Sequence, residues 1–360
     1  MTENGTPTKR RLTGKFTGSS GIPGAAKNPD PVPVPQVSTK LSAADVWGTW
    51  KSRWAMGRDD YSVPVGLYRV GEPTAESPVL VTSNYKMTFD SLRKELGGID
   101  AWILVLDTKG VNVWCAAGKG TFGTKELVRR IHATGLSAHV SHRKLVLPQL
   151  GAVGVAAHEV KKASGFSVVY GPVRAADLPT YLAAGQVATP AMRRVRFTAL
   201  DRLVLTPAEL VFTFKPAAIA LGVLFILNAF GIGSYGLVDL YALAGTLVVG
   251  CVLTPVLLPL LPGRAFALKG AELGLLWAVA VAMLNGWPAA PTLAWPRALA
   301  YLLLLPALSA FLAMNFTGST TFTSPSGVSR EMRAAVPAMF VAAVAGVLLM
   351  LVDGFVQAFS

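Results

Sequence analysis

Residues 101–120 read Ala-Trp-Ile-Leu-Val-Leu-Asp-Thr-Lys-Gly-Val-Asn-Val-Trp-Cys-Ala-Ala-Gly-Lys-Gly, an unbroken apolar run followed by a polar turn and a lone cysteine. Six apolar residues in succession, bounded by a turn, are what a strand buried on both faces requires. Similar runs occur at 78–82, 142–147 and 166–170, and helix-like stretches at 89–96, 124–134, 153–163 and 175–184 alternate with them. This alternation predicts an α/β domain in which helices cover a parallel sheet. Such sheets bind ligands beyond the carboxyl ends of their strands. Thr82 to Asn84, Asp107-Thr108, Leu147 to Gln149, Tyr170 to Pro172 and the segment around Cys115 all fall at such ends.

The remainder of the chain has a different composition. The net charge of +13 comes from the first half, where residues 1–210 hold 27 of the 33 Lys and Arg. Beyond 210 the charged residues are Lys215, Arg264, Lys269, Arg297, Arg330 and Arg333 against Asp239, Glu272, Glu331 and Asp353. Between them lie apolar segments at about 217–235, 237–261, 271–288, 297–314 and 334–357, each near the roughly 20 residues of a spanning helix. An all-α transmembrane domain of five helices is predicted over 211–360, interrupted by Pro255, Pro259 and Pro306, which such helices tolerate. Lys215, Arg264, Lys269, Arg330 and Arg333 fall on one side by parity and Arg297 on the other, which places residues 41–210 in the cytoplasm at the inner membrane. The basic residues are scattered through hydrophobic segments, which argues against a nucleic-acid partner.

Residues 1–40 lack the apolar core of a signal peptide and are rich in Pro, Gly, Ser and Thr, so a disordered tail is expected. Trp47, Trp50 and Trp54 share one face of a helix whose start is capped by Ser42 and Asp45, and the stripe is expected to pack on the domain rather than float at a lipid interface. The uncharged connector 315–328, with Phe316 and Phe322, is expected to dock on the cytoplasmic domain or on a partner.

Cys115 is the only cysteine before the apolar half, and Cys251, in the second apolar segment, reads as a small buried hydrophobe. Beside Gly118, Lys119 and Gly120, Cys115 is placed to be a nucleophile or a metal ligand. Other motif readings fail on spacing. Gly118-Lys-Gly-Thr-Phe-Gly123 fits a dinucleotide pattern but follows a polar loop, and 138–143 offers no acidic ribose partner. A P-loop would need a hydroxyl residue where Gly120 stands. One cysteine with the dispersed His132, His139, His142 and His158 does not make a zinc site, although His142 adjoins a strand end. A Cys-His hydrolase needs an orienting third group that spacing does not supply.

The run Asn112-Val-Trp-Cys-Ala-Ala-Gly-Lys119 resembles, without a mismatch, the hallmark of the HgcA family, the corrinoid protein of the bacterial mercury-methylating pair. Segments 79–86, 102–123, 147–151 and 165–172 and the apolar half look like the same family. The resemblance implies a Rossmann-like corrinoid-binding domain, related to the large subunit of the corrinoid iron–sulfur protein, followed by a five-helix membrane anchor. By the same resemblance the motif helix caps the lower face of a cobalamin-type corrinoid and Cys115 is its lower axial cobalt ligand. Trp114 then packs on the ring, Asn112 fixes the loop, Gly118 and Gly120 permit close backbone approach, and Lys119 acts as a neutralising or helix-start cation. Thr82, Asn84, Val113, Ala116, Ala117, His142 and Gln149 complete the expected cofactor contacts.

The activity implied is a membrane-anchored, corrinoid-dependent methyltransferase that passes a methyl group from cobalt to Hg(II), forming methylmercury. The implied partners are a ferredoxin-like protein with 4Fe–4S clusters, a methyl donor from a one-carbon pathway, and membrane lipid. Two alternatives stay open: a corrinoid carrier of one-carbon metabolism with another acceptor, and a non-enzymatic corrinoid-binding membrane sensor.

Overall fold

The computed structural model describes residues 34–232, 235–287, 289 and 293–359, with 357–359 described by backbone alone. The expected tail lies, up to residue 33, outside the described residues. Its end does not behave as a tail: the Val37 amide donates to the Arg69 carbonyl and the Arg69 amide to Pro35, so 35–37 lines a strand edge.

Helix α1 (Ala43–Arg53) opens with the expected capping box of Ser42 and Asp45. It is followed by β1 (Gly66–Val70), β2 (Val79–Ser83), α2 (Lys86–Arg93), β3 (Ala101–Leu106), α3 (Val113–Lys119), α4 (Thr124–Ala133), α5 (Leu136–His139), β4 (Lys144–Leu147), α6 (Ala157–Ser164), β5 (Ser167–Tyr170) and α7 (Leu178–Ala183). The sheet order is β1-β3-β2-β4-β5, with β1 antiparallel to β3 and every other pairing parallel. Chain direction across the sheet therefore reverses at β2, whose neighbours are β3 on one side and β4 on the other. Every residue of β2 and β3 is buried, as expected for strands covered on both faces. Leu80, Ile103 and Val105 pack with Phe89, Leu92, Leu178 and Tyr181 of α2 and α7. By the two-residue period of a strand, Val79, Val81, Leu104 and Leu106 point to the other face, where α4 contacts β3 and α6 contacts β5.

Four strands thus lie where the apolar runs place them, while β1 is an addition that no run announces. The segment around Cys115, a polar loop by composition but a helix by the resemblance, is a helix, and Lys119 stands in its last turn rather than at a helix start.

An ionic cluster ties α1 to α2. The Lys86 ammonium contacts Asp45 at 2.5 Å and Asp90 at 2.6 Å, and the Arg93 guanidinium reaches Asp90 at 2.7 Å and Asp45 at 2.8 Å. Arg93 also donates to the carbonyls of Ser38 and Lys40, fixing the chain ahead of α1. Burial opposes the charge on Asp45, but hydrogen bonds from Lys86, Ser42 and Arg93 outweigh it and hold the carboxyl well below the usual range.

After a short α8 (Ala199–Leu203), the second half consists of α9 (Thr206–Ala229), α10 (Leu237–Val248), α11 (Thr254–Leu257), α12 (Phe266–Leu284), α13 (Trp295–Asn315) and α14 (Pro325–Phe359). Among the described residues five stretches are long and apolar enough to cross a membrane: Ala199–Ala229, Leu237–Leu257, Phe266–Leu284, Trp295–Ser319 and Pro325–Val356. The first, third and fifth begin earlier than their apolar cores suggest. Between α10 and α11 the chain widens into a π-turn over Val249–Leu253, where Pro255 has no amide to offer the carbonyl four residues back. Cys251 is buried there, with its Sγ 3.7 Å from Thr213 Oγ1.

Helices α12 and α13 approach closely because Gly270 and Gly274 carry no side chains. A Cβ at either would lie within 3 Å of α13 backbone atoms, the small-xxx-small device of membrane helices. Arg297 is not an isolated cation but is buried against Asp353, Nη2 to Oδ2 2.6 Å, and the Tyr301 hydroxyl donates to Asp239 at 2.7 Å.

The connector 315–328 is largely helical: 316–319 form a 3-10 turn and α14 starts at Pro325. Phe316 and Phe322 pack on Phe197, with ring centroids 6.3 and 5.5 Å apart. The Arg202 guanidinium lies 5.9 Å from the Phe322 ring and donates to the carbonyls of Phe197 and Val256. The connector therefore docks on the segment that joins the α/β part to the first apolar helix.

Asp45→Asn should speed amide exchange across α1 about 10- to 100-fold in the intact chain, equivalent to about 1.4–2.8 kcal/mol for losing charge-assisted hydrogen bonds. Because the folded Asp45 carboxyl titrates below its unfolded value, its contribution is complete above about pH 4 and fades as pH falls further. The acid-induced rise in α1 exchange should accordingly be smaller in the variant than in wild type.

Candidate functional site

A cleft of about 420 Å³ opens at the carboxyl ends of β2, β4 and β5, within the range typical of small-molecule sites. Its sheet-side residues include Thr82 at the end of β2, Leu147 and Pro148 after β4, and Gly171 and Pro172 after β5. It therefore sits where β3 and β4 diverge from the two sides of β2, the switch point at which open parallel sheets bind ligands. Asn112, Val113 and Trp114 of the α3 segment form one wall, and Tyr85, Thr88 and Ser91 of the α2 segment another. Arg53 and Arg58 reach it from α1 and the turn after it, and Val204, Leu205 and Ala208 from the start of the apolar half.

The position of α3 is set by two neighbours. Asn84, directly beyond β2, is buried, and its Oδ1 accepts from the Thr108 amide (3.1 Å), the Thr108 hydroxyl (2.8 Å) and the Gly110 amide (3.0 Å). This carboxamide folds the 108–111 turn back on β2, and the single hydroxyl hydrogen of Thr108 is shared between Asn84 Oδ1 and the Val111 carbonyl, 2.6 Å away. Asn112 is then the helix N-cap, its Oδ1 accepting from the Cys115 amide at 2.9 Å. At the other end Gly120 takes the left-handed conformation, φ 79°. Phe122 is fully buried beyond it, and a Cβ on Gly154 would lie 2.2 Å from the Phe122 carbonyl and 3.0 Å from the Ala117 Cα. Only glycine lets the chain after β4 pass under α3 at that distance.

The buried face of α3 is thus Val113, Ala116 and Ala117, and its exposed face carries Trp114, Cys115, Gly118 and Lys119. Cys115 is exposed, and one turn on, a Cβ at Gly118 would meet nothing within 4 Å. The surface beside the thiol is therefore bare. Below the helix Glu126 accepts from the Asp107 amide at 2.9 Å and pairs with Arg129 and Arg130. Burial opposes its charge, but those donors prevail and hold the carboxyl below its usual range.

Of the residues picked from sequence, the structure brings Thr82, Asn112, Val113 and Trp114 to the cleft and places Cys115, Gly118, Lys119 and Gly120 beside it on the exposed side of α3. Ala116 and Ala117 lie beneath, and Asn84 lies behind the wall as a positioning residue. Gln149 accepts from Arg193 Nη1 at 2.5 Å. His142 is not brought to the site. It precedes β4, at the amino-terminal edge of the sheet, with Nε2 2.9 Å from the Ser77 carbonyl. Among the described residues no three His, Cys, Asp or Glu side chains are grouped to hold a metal directly. The α2 wall was readable from its place directly after β2, whereas Arg53, Arg58 and Val204 to Ala208 join the cleft only through tertiary packing.

Residues 56–182, which span all five strands, α3 and the cleft floor, match the family model described as CO dehydrogenase/acetyl-CoA synthase delta subunit. The gamma subunit of the acetyl-CoA decarbonylase/synthase complex of Methanopyrus kandleri is 35% identical over 127 residues, 35% of this chain and 27% of its own length. The corresponding subunit of Archaeoglobus fulgidus is 31% identical over 127 residues, covering the same shares. That of Methanocaldococcus jannaschii is 35% identical over 97 residues, 26% of this chain and 20% of its length. The α/β part is homologous to these subunits. The chain spans about a quarter of the length of the curated relatives it matches, and the matched region ends before the apolar helices begin.

Asn84→Ala should leave the Thr108 and Gly110 amides without their acceptor and cost about 1–3 kcal/mol, seen as faster amide exchange over 108–115 with β3 unaffected. Asn84→Asp keeps the accepting oxygen and should restore most of the protection.

Proposed function

We propose that this chain is a membrane-anchored corrinoid methyl carrier whose α/β domain holds the cofactor against the exposed face of α3, next to the cleft that Asn112, Val113 and Trp114 wall. The observation that carries the reading is the placement of Cys115: a single exposed thiol on a capped helix, beside a bare glycine face and directly after the cleft-lining Trp114, in a fold similar to acetyl-CoA decarbonylase/synthase subunits. The parallel strands, taken in chain order, run 2-1-3-4, a doubly wound arrangement with its switch point beside β2, and this supports a ligand at that end of the sheet.

The residues present fit such a group. The cleft has apolar walls from Leu80, Val146 and Leu178 and hydroxyls from Thr82, Thr88 and Ser91, which suits a large apolar ring bearing amide side chains. A corrinoid supplies, when bound, reversible methyl carriage at cobalt. Cys115 would hold the cobalt as a thiolate, a donor whose identity is a principal lever on a ring-bound metal. Asn112 fixes the first turn that carries this thiol, Asn84 fixes the turn before it, and Gly118 leaves the helix face low enough for a flat ring to approach. Trp114 shields one side from water. A ferredoxin-like protein with 4Fe–4S clusters would be the reductant, and the five apolar helices would cross the inner membrane with the α/β part in the cytoplasm.

The acceptor has two readings. Homology to subunits of complexes named for making and breaking acetyl-CoA favours a carrier in one-carbon metabolism. The unbroken Asn112–Lys119 run, with its exposed thiol, favours Hg(II) as the methyl acceptor and methylmercury as the product. Anaerobic methyl transfer from the loaded full-length protein, offered Hg(II) or a thiol acceptor, separates them. If Hg(II) is the substrate, Cys115→Ala should abolish its methylation and shift the cobalt absorption bands, with Cys251→Ala changing neither. A Cys115 that served only packing would instead cost about 1–3 kcal/mol on truncation and leave activity per folded molecule intact.

Reporter fusions at Ser360 and in the turn after Gly263 should report opposite sides of the membrane, outside and cytoplasmic respectively. The same side for both would contradict the five-span topology.

A further inference from the structure

The tryptophan stripe of α1 is unused by the site and unpartnered by the domain. Trp47 is 57% and Trp50 45% exposed, their rings stacked 4.9 Å apart, and Trp54 continues the row with its centroid 5.7 Å from Trp50. Val46 and Met56 are exposed alongside. Packing on the α/β domain, the fate expected from sequence, is not what the structure shows. The helix is nonetheless held rigidly from its other side, by the Asp45 cluster and by a 2.7 Å hydrogen bond between the buried Ser52 hydroxyl and Tyr85. Four large apolar residues kept in water by a helix that is otherwise anchored call for a partner.

Two observations identify it. First, the end of α1 adjoins the start of the first apolar helix, since Ser52, Arg53 and Arg58 line the same cleft as Val204, Leu205 and Ala208. Second, exposed cations accompany the stripe: Lys51, Arg53 and Arg58 here, and Arg193, Arg194 and Arg196 directly before α8, whose Leu200 and Leu203 are exposed as well. Tryptophan combines an apolar ring with a polar N–H and concentrates at the bilayer interface. Basic residues are attracted to the surface of an anionic leaflet.

We infer that α1 is an interfacial anchor: its Trp47-Trp50-Trp54 face lies in the headgroup layer of an anionic bilayer, with the two arginine-rich segments against the lipid phosphates. The α/β domain is then held at a fixed tilt over the membrane, with the cleft mouth at the lipid surface. This rests on the reading that the apolar helices cross a bilayer.

The test uses the full chain with Cys115→Ala and Cys251→Ala, in nanodiscs of mixed phosphatidylglycerol and phosphatidylcholine. A nitroxide is attached through Val46→Cys, Lys144→Cys at the opposite edge of the sheet, or Phe225→Cys on the exposed side of α9. Collisions with dissolved oxygen and with a water-soluble nickel chelate are compared. The Val46 label should be several-fold less accessible to the chelate than the Lys144 label, and adding Trp47→Ala with Trp50→Ala should return it to the aqueous value. A Val46 label as aqueous as Lys144, beside a lipid-like Phe225 label, overturns the anchor and leaves the spanning helices standing. If Phe225 is aqueous too, the membrane reading falls with it. Shielding of Val46 that arises only on addition of a soluble iron–sulfur protein would assign the stripe to that protein and equally overturn the lipid assignment.

Discussion

The side-chain oxygen of Asn84 accepts three hydrogen bonds in the buried gap between the ends of β2 and β3, and the geometry of the site depends on it. Without that acceptor the 108–111 turn would leave the Thr108 and Gly110 amides without a partner, with Thr108 fully buried, a situation folded proteins avoid. With it, the chain leaves β3, folds over the end of β2 and starts α3 at Asn112 with a capped first turn. The glycine at 154 completes the constraint from below, because any side chain there would collide with the Phe122 carbonyl. Between these two contacts α3 is held in place, with Trp114 lining the cleft and Cys115 exposed on the next residue.

Much of this was legible in the chain itself, for reasons that differ by element. β2 to β5 are covered on both faces or run beside covered strands, so each is a continuous apolar run and its ends fall within two residues of the runs. β1 escaped notice because an edge strand with Tyr68 and Arg69 in its centre alternates over only five residues. By composition α3 read as a loop, because seven residues containing Val113, Gly118 and a flanking Gly120 have little helix propensity, and only the resemblance implied a helix there. It persists through the local Asn112 cap and the tertiary burial of Val113, Ala116 and Ala117. His142 illustrates the limit of reasoning from neighbourhood: adjacency to a strand was correct, but it stands at the amino-terminal edge, whereas the ligand cleft is at the carboxyl edge.

The apolar half was located from composition, and its refinement came from packing. Helices extend beyond their apolar cores because Thr206-Pro207 and Pro325 supply helix starts outside them. The charges that composition left unexplained are paired within the bundle: Arg297 with Asp353, and Asp239 with Tyr301. Phe197, Arg202, Phe316 and Phe322 join the bundle to the α/β part, and the cleft is lined from both. Homology to the acetyl-CoA decarbonylase/synthase subunits stops where these helices begin, so the joined arrangement belongs to this chain and not to the part those relatives share with it.

The central claim is that the site at α3 and the switch-point cleft beside it holds a corrinoid, with the Cys115 thiol as the group that would hold its cobalt. Its most direct test is the ultraviolet–visible spectrum of the full-length protein purified anaerobically and titrated with cobalamin. The account predicts stoichiometric binding, with loss of the bands given by the cofactor's own nucleotide base as a ligand and appearance of a thiolate-perturbed spectrum. A folded protein whose titration leaves the free-cobalamin spectrum unchanged would contradict it.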